Sequence, residues 1–517
     1  MFRYFLCAFL LIGFISCKDK NAEPKEEVVL WTPYNDSAEV AANAEHENKR
    51  MRYKFIQSKV LDKNEVFLPL YDEVSRFTEA QYEKMKPLVL EQDIPTIQNH
   101  IDAGTFTYED LVLFYLHRIY TYELPNKTTL NTIIALNPNV LEEARQLDES
   151  KETHHPIYGM PILLKDNIGT AEMKTTAGAI VLKENQTDDA FIVKRLKQKG
   201  ALILGKVNLS EWANFLCDGC PNGQSAVGGQ TLNPYGRRIF DTGGSSAGSG
   251  TSTAANYAVG AVGTETSGSI LSPSSQNSVV GLKPTIGLLS RTGIVPISST
   301  LDTPGPMTKN VTDNAILLDA MLGKDEADYK SVSTEKPGIL SAWMSPEPLN
   351  EIRLGVMTNL MEGDSIYAAN VQALREAGAQ IVAFEAESIP LEGFTTLLNL
   401  DMKEDLPAYL NAEVKDRDAV RVASVEAVVT FNNQDSLEKL AGRIAQQIET
   451  DSISLIKVMK DEGFLAKNSF NQKNALGMYI PNSYEFYWNT SAEKFRNKML
   501  TEYKRFWNSS RLEKAKK

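Results

Sequence analysis

Gly243-Gly244-Ser245-Ser246-Ala247-Gly248 and Gly263-Thr264-Glu265-Thr266-Ser267-Gly268-Ser269-Ile270 are two glycine–serine knots inside a Gly/Ser/Thr-rich tract, residues 219–306. The tract is too long for a linker and too often punctuated by apolar residues to be low-complexity disorder. Glycine lets backbone amides approach a ligand closely and adopt positive φ, so loops of this kind suit an oxyanion or a phosphate. A phosphate loop is disfavoured, because neither knot is followed by the Gly-Lys-Ser/Thr that contacts phosphate and metal.

On either side of the knots, short apolar runs alternate with helical patterns. Residues 132–136, 160–164 and 201–204 read as strands, and 140–149 and 190–199 as helices. The rhythm returns with a strand at 353–357, a helix near 366–377 and a strand at 380–384. Such alternation predicts an α/β fold with a central sheet covered by helices on both faces. Thr107-x-x-Asp110 opens a capped helix whose face of Tyr108, Leu111, Val112, Tyr115 and Ile119 should pack on the core.

Gly244-Ser245-Ser246-Ala247-Gly248 formally matches the G-x-S-x-G nucleophile elbow, but that mechanism needs a histidine downstream, and none follows His155. Ser333-Thr334-Glu335-Lys336 spells S-x-x-K without the companion motifs of that chemistry and reads as a surface loop. A serine hydrolase lacking histidine needs another base, and a buried lysine serves because desolvation favours its neutral form. Lys165 ends the apolar run Pro161-Ile162-Leu163-Leu164-Lys165-Asp166-Asn167. Alone, it reads as an exposed lysine at a strand end.

Taken together, Gly159-Met160-Pro161-Ile162-Leu163-Leu164-Lys165-Asp166-Asn167 and the two knots resemble, in order, the three signature blocks of the amidase signature family. Gly205-Lys206-Val207-Asn208-Leu209-Ser210-Glu211-Trp212-Ala213, Gly281-Leu282-Lys283-Pro284-Thr285 and Asp302-Thr303-Pro304-Gly305-Pro306-Met307 are similar to that family as well. The resemblance runs from about residue 94 to about 434. It implies the amidase signature fold, a mixed sheet, and a Ser-Ser-Lys triad that hydrolyses carboxamide bonds. In that triad Ser269 is the nucleophile, Ser245 a bridging serine preceded by a cis peptide bond, and Lys165 the base. Backbone N–H groups of Thr266, Ser267, Gly268 and Ser269 would hold the oxyanion. The interval from Ser245 to Ser269 is the one the family keeps, which favours Ser245 over Ser246. Glu265-Thr266-Ser267-Gly268-Ser269 looks most like the peptide amidase branch, which removes C-terminal carboxamides. The implied partner is a small or peptide amide; no cofactor, metal or obligate protein partner is expected.

Arg3 and the apolar stretch 4–15 fit a signal peptide, being too short to span a bilayer. Cys17, at the abrupt change to Lys18-Asp19-Lys20-Asn21, resembles a bacterial lipidation box. The expected organisation is a signal peptide at 1–16, a lipidated flexible tether at 17–30, a mostly helical extension at 31–90, the amidase core at 91–434, and a divergent region at 435–517. An exported cell-envelope lipoprotein, periplasmic or surface-facing, follows. Export also favours a disulfide between Cys217 and Cys220, since the five histidines offer no partner spacing for zinc. With 54 basic and 66 acidic residues, net charge −12, nucleic acid and anionic membrane surfaces are excluded as general partners. Beyond about residue 433 the family's late Ala-Pro-Thr-like strand and Ala-Gly-x-Pro segment are not found. The alternative reading is therefore a catalytically impaired, lipid-anchored protein that captures peptides on an amidase scaffold.

Overall fold

The computed structural model describes residues 28–150, 155–216, 219–332, 349–351, 353–385 and 394–441, with strand pieces at 472–473 and 479–480. The signal peptide, Cys17, most of the tether, Cys217, Ser333 to Lys336 and most of 435–517 lie outside the described residues.

The strands are β1 (Ile133–Leu136), β2 (Pro161–Lys165), β3 (Leu202–Val207), the short pair β4 (Gln224–Ser225) and β5 (Gly229–Gln230), β6 (Gly260–Glu265), β7 (Val280–Gly281), β8 (Thr303–Thr308), β9 (Arg353–Met357) and β10 (Gln380–Phe384). Six of them form a mixed sheet in the order β1-β3-β2-β6-β8-β7. β3, β2 and β6 run parallel, while β1, β8 and β7 pair antiparallel to their neighbours. Every residue of β2, β3, β6 and β8 is buried. That burial explains why β2 and β3 read as continuous apolar runs rather than alternating ones.

Helices α1 (Ser37–Asn43), α2 (Lys63–Val74), α3 (Glu79–Val89), α4 (Ile94–Asp102), α5 (Tyr108–Glu123), α6 (Val140–Asp148), α7 (Phe191–Gln198), α8 (Ala247–Ala254), α9 (Leu271–Gln276) and α10 (Val311–Met321) surround it. A Cβ at Gly260 would meet Leu317 of α10, and one at Gly263 would meet Ser246 just before α8. Residues an odd number apart on a strand point to opposite faces, so α8 and α10 cover the sheet from opposite sides. Thr107 and Asp110 exchange both bonds of a capping box at α5, and Leu111, Val112, Tyr115 and Ile119 are buried as the sequence predicts. Met51, Phe67, Leu70 and Tyr82, from the N-terminal extension, join the same core as Leu111, Ile162 and Val262.

β9 and β10 differ from the simplest expectation, because they pair in parallel with each other and not with the six-stranded sheet. The long helix Phe394–Glu413 packs Met402, Leu406, Tyr409 and Leu410 against Ala177, Leu182, Trp212 and Val295. Ala177 and Val295 donate their N–H groups to the carbonyls of Asp166 and Asn167, immediately after β2. The helix therefore closes over the edge where β2 ends.

Candidate active site

β2 and β6 are adjacent and parallel, so their carboxyl ends open on one edge of the sheet, where α/β folds place their chemistry. Lys165 is the last residue of β2 and is fully buried. Its Nζ lies 2.7 Å from Ser245 Oγ, 2.9 Å from Thr264 Oγ1 and 3.1 Å from Thr264 O. Burial lowers its pKa from 10.5 to about 7, against the opposing pull of the Asp302 and Glu265 charges. Near neutral pH the amine is thus partly unprotonated. A neutral amine has two N–H groups and one lone pair. Thr264 O can only accept and Thr264 Oγ1 is placed to accept as well, which leaves the lone pair for the hydroxyl of Ser245.

Ser245 follows a cis Gly244–Ser245 peptide and is fully buried, its carbonyl accepting from Ser210 N–H at 2.9 Å. Ser246, the neighbour the spacing sets aside, does a different job. Its Oγ donates to Thr264 O and accepts from Thr264 N–H, and its own N–H donates to Ser269 O at 3.1 Å. Ser246 thereby laces the two knots together. Behind it, α8 is built from Ala, Gly, Ser and Thr alone and is buried through Thr253. Small side chains let it lie close to the sheet, with Ser249 Oγ donating to Val262 O at 3.1 Å.

Ser269 sits in the loop between β6 and α9, 7% exposed. Thr266, Ser267 and Gly268 precede it. Ser267 is exposed at the crest and Gly268 has φ +88°, which glycine adopts without steric cost. The loop is clamped from several directions. Glu265 Oε2 accepts from the N–H groups of Ile270 and Leu271 at 2.7 and 3.0 Å. Lys283 Nζ donates to Thr266 O at 2.7 Å, and Thr266 Oγ1 donates to Asp302, whose other oxygen accepts from Ile297 and Ser298 N–H. The structure joins Lys165 to Ser245 directly. Ser269 is brought beside them through backbone, and among the described residues no side-chain hydrogen bond links it to Ser245.

Thr264, Asn167, Glu265, Lys283 and Asp302 were present in the sequence blocks without an assigned task. The pattern carried their identity, but their partners are distant in the chain. Asp166 turns away from the triad to pair with buried Lys206 at 3.3 Å. Cys220 is buried and disulfide-bonded, while Cys217 lies outside the described residues. A cavity of about 340 Å³ adjoins the site, lined by Asn167, Thr264, Glu265, Thr266 and Asp302 and by one face of helix Phe394–Glu413. Lys165, Ser245 and Ser269 do not line it; Thr264 separates it from Lys165.

The amidase family model matches residues 110–508. A probable amidase of Arabidopsis thaliana is 35% identical over 373 residues, which are 70% of this chain and 71% of that relative. An amidase family protein from Bacillus anthracis superposes with a TM-score of 0.68 at 35% identity, over 79% of this chain and 86% of that one. The peptide amidase from Stenotrophomonas maltophilia superposes with a TM-score of 0.64 at 38% identity, over 71% and 76% of the two chains. The chain belongs to the amidase family and is an amide-hydrolysing enzyme of the amidase signature fold.

Proposed function

We propose that the chain hydrolyses the carboxamide bond of peptide C-terminal amides or other small amides through Ser269, Ser245 and Lys165. The observation that carries this reading is the buried Lys165 amine, 2.7 Å from Ser245 Oγ and with pKa lowered to about 7. Neutral Lys165 takes the hydroxyl proton of Ser245 as Ser245 takes that of Ser269. Ser269 Oγ attacks the amide carbonyl and forms the tetrahedral intermediate. The backbone N–H groups of Thr266, Ser267, Gly268 and Ser269 hold its oxyanion, and the relay, run in reverse, protonates the departing ammonia. Water then attacks the acyl-Ser269 ester and releases the acid. The Ser245–Ser269 hydrogen bond closes when substrate orders the loop, as bonds of this kind commonly tighten on binding.

Support for peptide amides comes from the Glu265-Thr266-Ser267-Gly268-Ser269 block and from the likeness to the Stenotrophomonas peptide amidase. The same reading places the enzyme in a bacterial envelope, anchored by lipid on Cys17 and with the Cys217–Cys220 loop stapled by a disulfide. Ammonia release from a panel of peptide amides should be abolished in Ser269→Ala, and a fluorophosphonate probe should label wild type and not the variant. A properly folded wild type that releases no ammonia and takes no label overturns the hydrolytic assignment of Ser269.

A further inference from the structure

Helix Phe394–Glu413 turns Asp405 and Glu413 to the cavity beside Thr264, and Asp302, immediately before β8, also lines it. Among the described lining residues Arg291 is the cation, and its guanidinium is already committed to Asp328. Asp302 is held by Thr266 Oγ1 and the N–H groups of Ile297 and Ser298, and Glu413 accepts from Gly293 N–H. These hydrogen-bond partners are neutral; Lys283 pairs with Glu265 at 3.8 Å and Arg291 with Asp328, while Asp302 and Glu413 feel Arg291 and Lys194 through space and have an ion pair with neither. The walls therefore carry a surplus of negative charge.

A second observation points the same way and does not depend on charge. Asn167 is 3% exposed, lines the cavity, and donates from Nδ2 to Thr264 Oγ1 at 3.0 Å and to Val295 O at 3.4 Å. A carbonyl accepts and cannot donate, so this amide orientation is fixed. Asn167 Oδ1 is left buried with no hydrogen-bond partner, Ser299 Oγ of another lining residue is in the same condition, and Glu265 Oε1 accepts no hydrogen bond and has the Lys283 amine at 3.8 Å. Buried acceptors without donors are costly, and a ligand rich in N–H groups would complete them.

We propose that this cavity receives a primary ammonium group of the amide substrate, with Asp302 and Glu413 as counter-charges and Asn167 Oδ1 as a hydrogen-bond acceptor. The proposal rests on the amide-hydrolase reading and narrows its substrate class to amino-acid or short peptide amides bearing a free α-amine or a lysine-type side chain. A neutral polar guest would satisfy Asn167 but leave the charge surplus standing. Burial raises the pKa of both Asp302 and Glu413, so a cation arriving beside them relieves a strain already present in the free enzyme.

The test is calorimetric binding to the full-length Ser269→Ala protein, where turnover does not intrude. Acetyl-lysinamide is compared with acetyl-norleucinamide, and leucinamide with acetyl-leucinamide, which separates a side-chain ammonium from an α-ammonium. An ammonium ligand should bind about tenfold more tightly than its neutral match in at least one pair. That gap should narrow in Glu413→Gln, whose side chain can still accept from Gly293, and should shrink as salt is raised. Equal affinity within both pairs overturns the proposal, as does a gap that neither Glu413→Gln nor salt alters. Failure here leaves ammonia release from neutral amides intact, whereas failure of the hydrolytic reading removes that release and leaves the binding comparison readable.

Discussion

β2–β6 and β9–β10 are both parallel strand pairs, but their surroundings differ. Every position of β2 and β6 is buried, whereas β10 leaves Val382 44% and Phe384 47% exposed and β9 buries Val356 alone. Parallel pairs are ordinarily covered on both faces. Cover of that kind lets β2 end in a fully buried amine with lowered pKa, because water is excluded and each N–H finds a fixed oxygen. Among the described residues, the same backbone pairing at β9–β10 has no such cover. The chemistry depends on what lies over the strands more than on how they pair.

The largest expected effect comes from uncovering a charge inside the covered region. Lys206 of β3 is fully buried, pairs with Asp166 at 3.3 Å, and donates to Ile168 O and to Thr175 Oγ1. Lys206→Met should lower unfolding stability by about 3–5 kcal/mol, because the Asp166 carboxylate is left in the interior without its counter-charge. Urea denaturation measures it. A loss below about 1 kcal/mol, the range of exposed pairs, would break the contrast between the two regions.

Lys165 gives the next effect, with a definite sign. Its amine has an ordinary value of 10.5 in the unfolded chain and about 7 in the fold. Between these values the unfolded state binds more protons, so the amine's contribution to stability improves as pH rises through that window. Stability of wild type relative to Lys165→Met should therefore climb between pH 7 and pH 10, by up to about 1.4 kcal/mol per pH unit. Under the proposed mechanism, activity should rise through about pH 7 as Lys165 loses its proton. A stability difference that is flat with pH would mean that cover does not perturb the lysine.

The sequence made β2 and β3 legible because strands buried on both faces are apolar without interruption. β9 and β10 were legible from their own apolar composition, but composition does not tell which sheet a strand joins. β8, largely within Asp302-Thr303-Pro304-Gly305-Pro306-Met307, is not legible as a strand, because two prolines argue against a central position. Both prolines stand opposite β6 residues, but Pro306 turns its carbonyl to Leu282 N–H and hence its nitrogen to the β7 side, where β7 pairs with Met307 and Thr308 alone, so the ladder with β6 loses no donor there. Lys165, Ser245 and Ser269 were singled out because they stand in ordered motifs, and the structure sets Lys165 against Ser245. The tasks of Thr264, Asn167 and Asp302 were not legible, because the bonds of Thr264 to Lys165 and Asn167 join residues 99 and 97 positions apart, and Asp302 acts through Thr266, 36 positions away, and a loop closing over itself, which local pattern does not encode.

The smallest effect compares one helical glycine from each region. Gly248 in α8 faces Asn208, and a Cβ there would lie 2.2 Å from the Asn208 carbonyl oxygen. Backbone cannot rotate aside as a side chain can, so Gly248→Ala should cost about 1–3 kcal/mol as helix and sheet are forced apart. Gly363 ends the short helix Thr358–Gly363 next to β9, where a Cβ meets nothing within 4 Å and φ is not positive. There the change removes glycine's excess freedom in the unfolded chain, and Gly363→Ala should stabilise by about 0.5 kcal/mol. Thermal unfolding of the two variants sharpens the comparison. Opposite signs would trace the difference between the regions to close packing over the strands, whereas matching signs would trace it to helix propensity, which is the same for both substitutions.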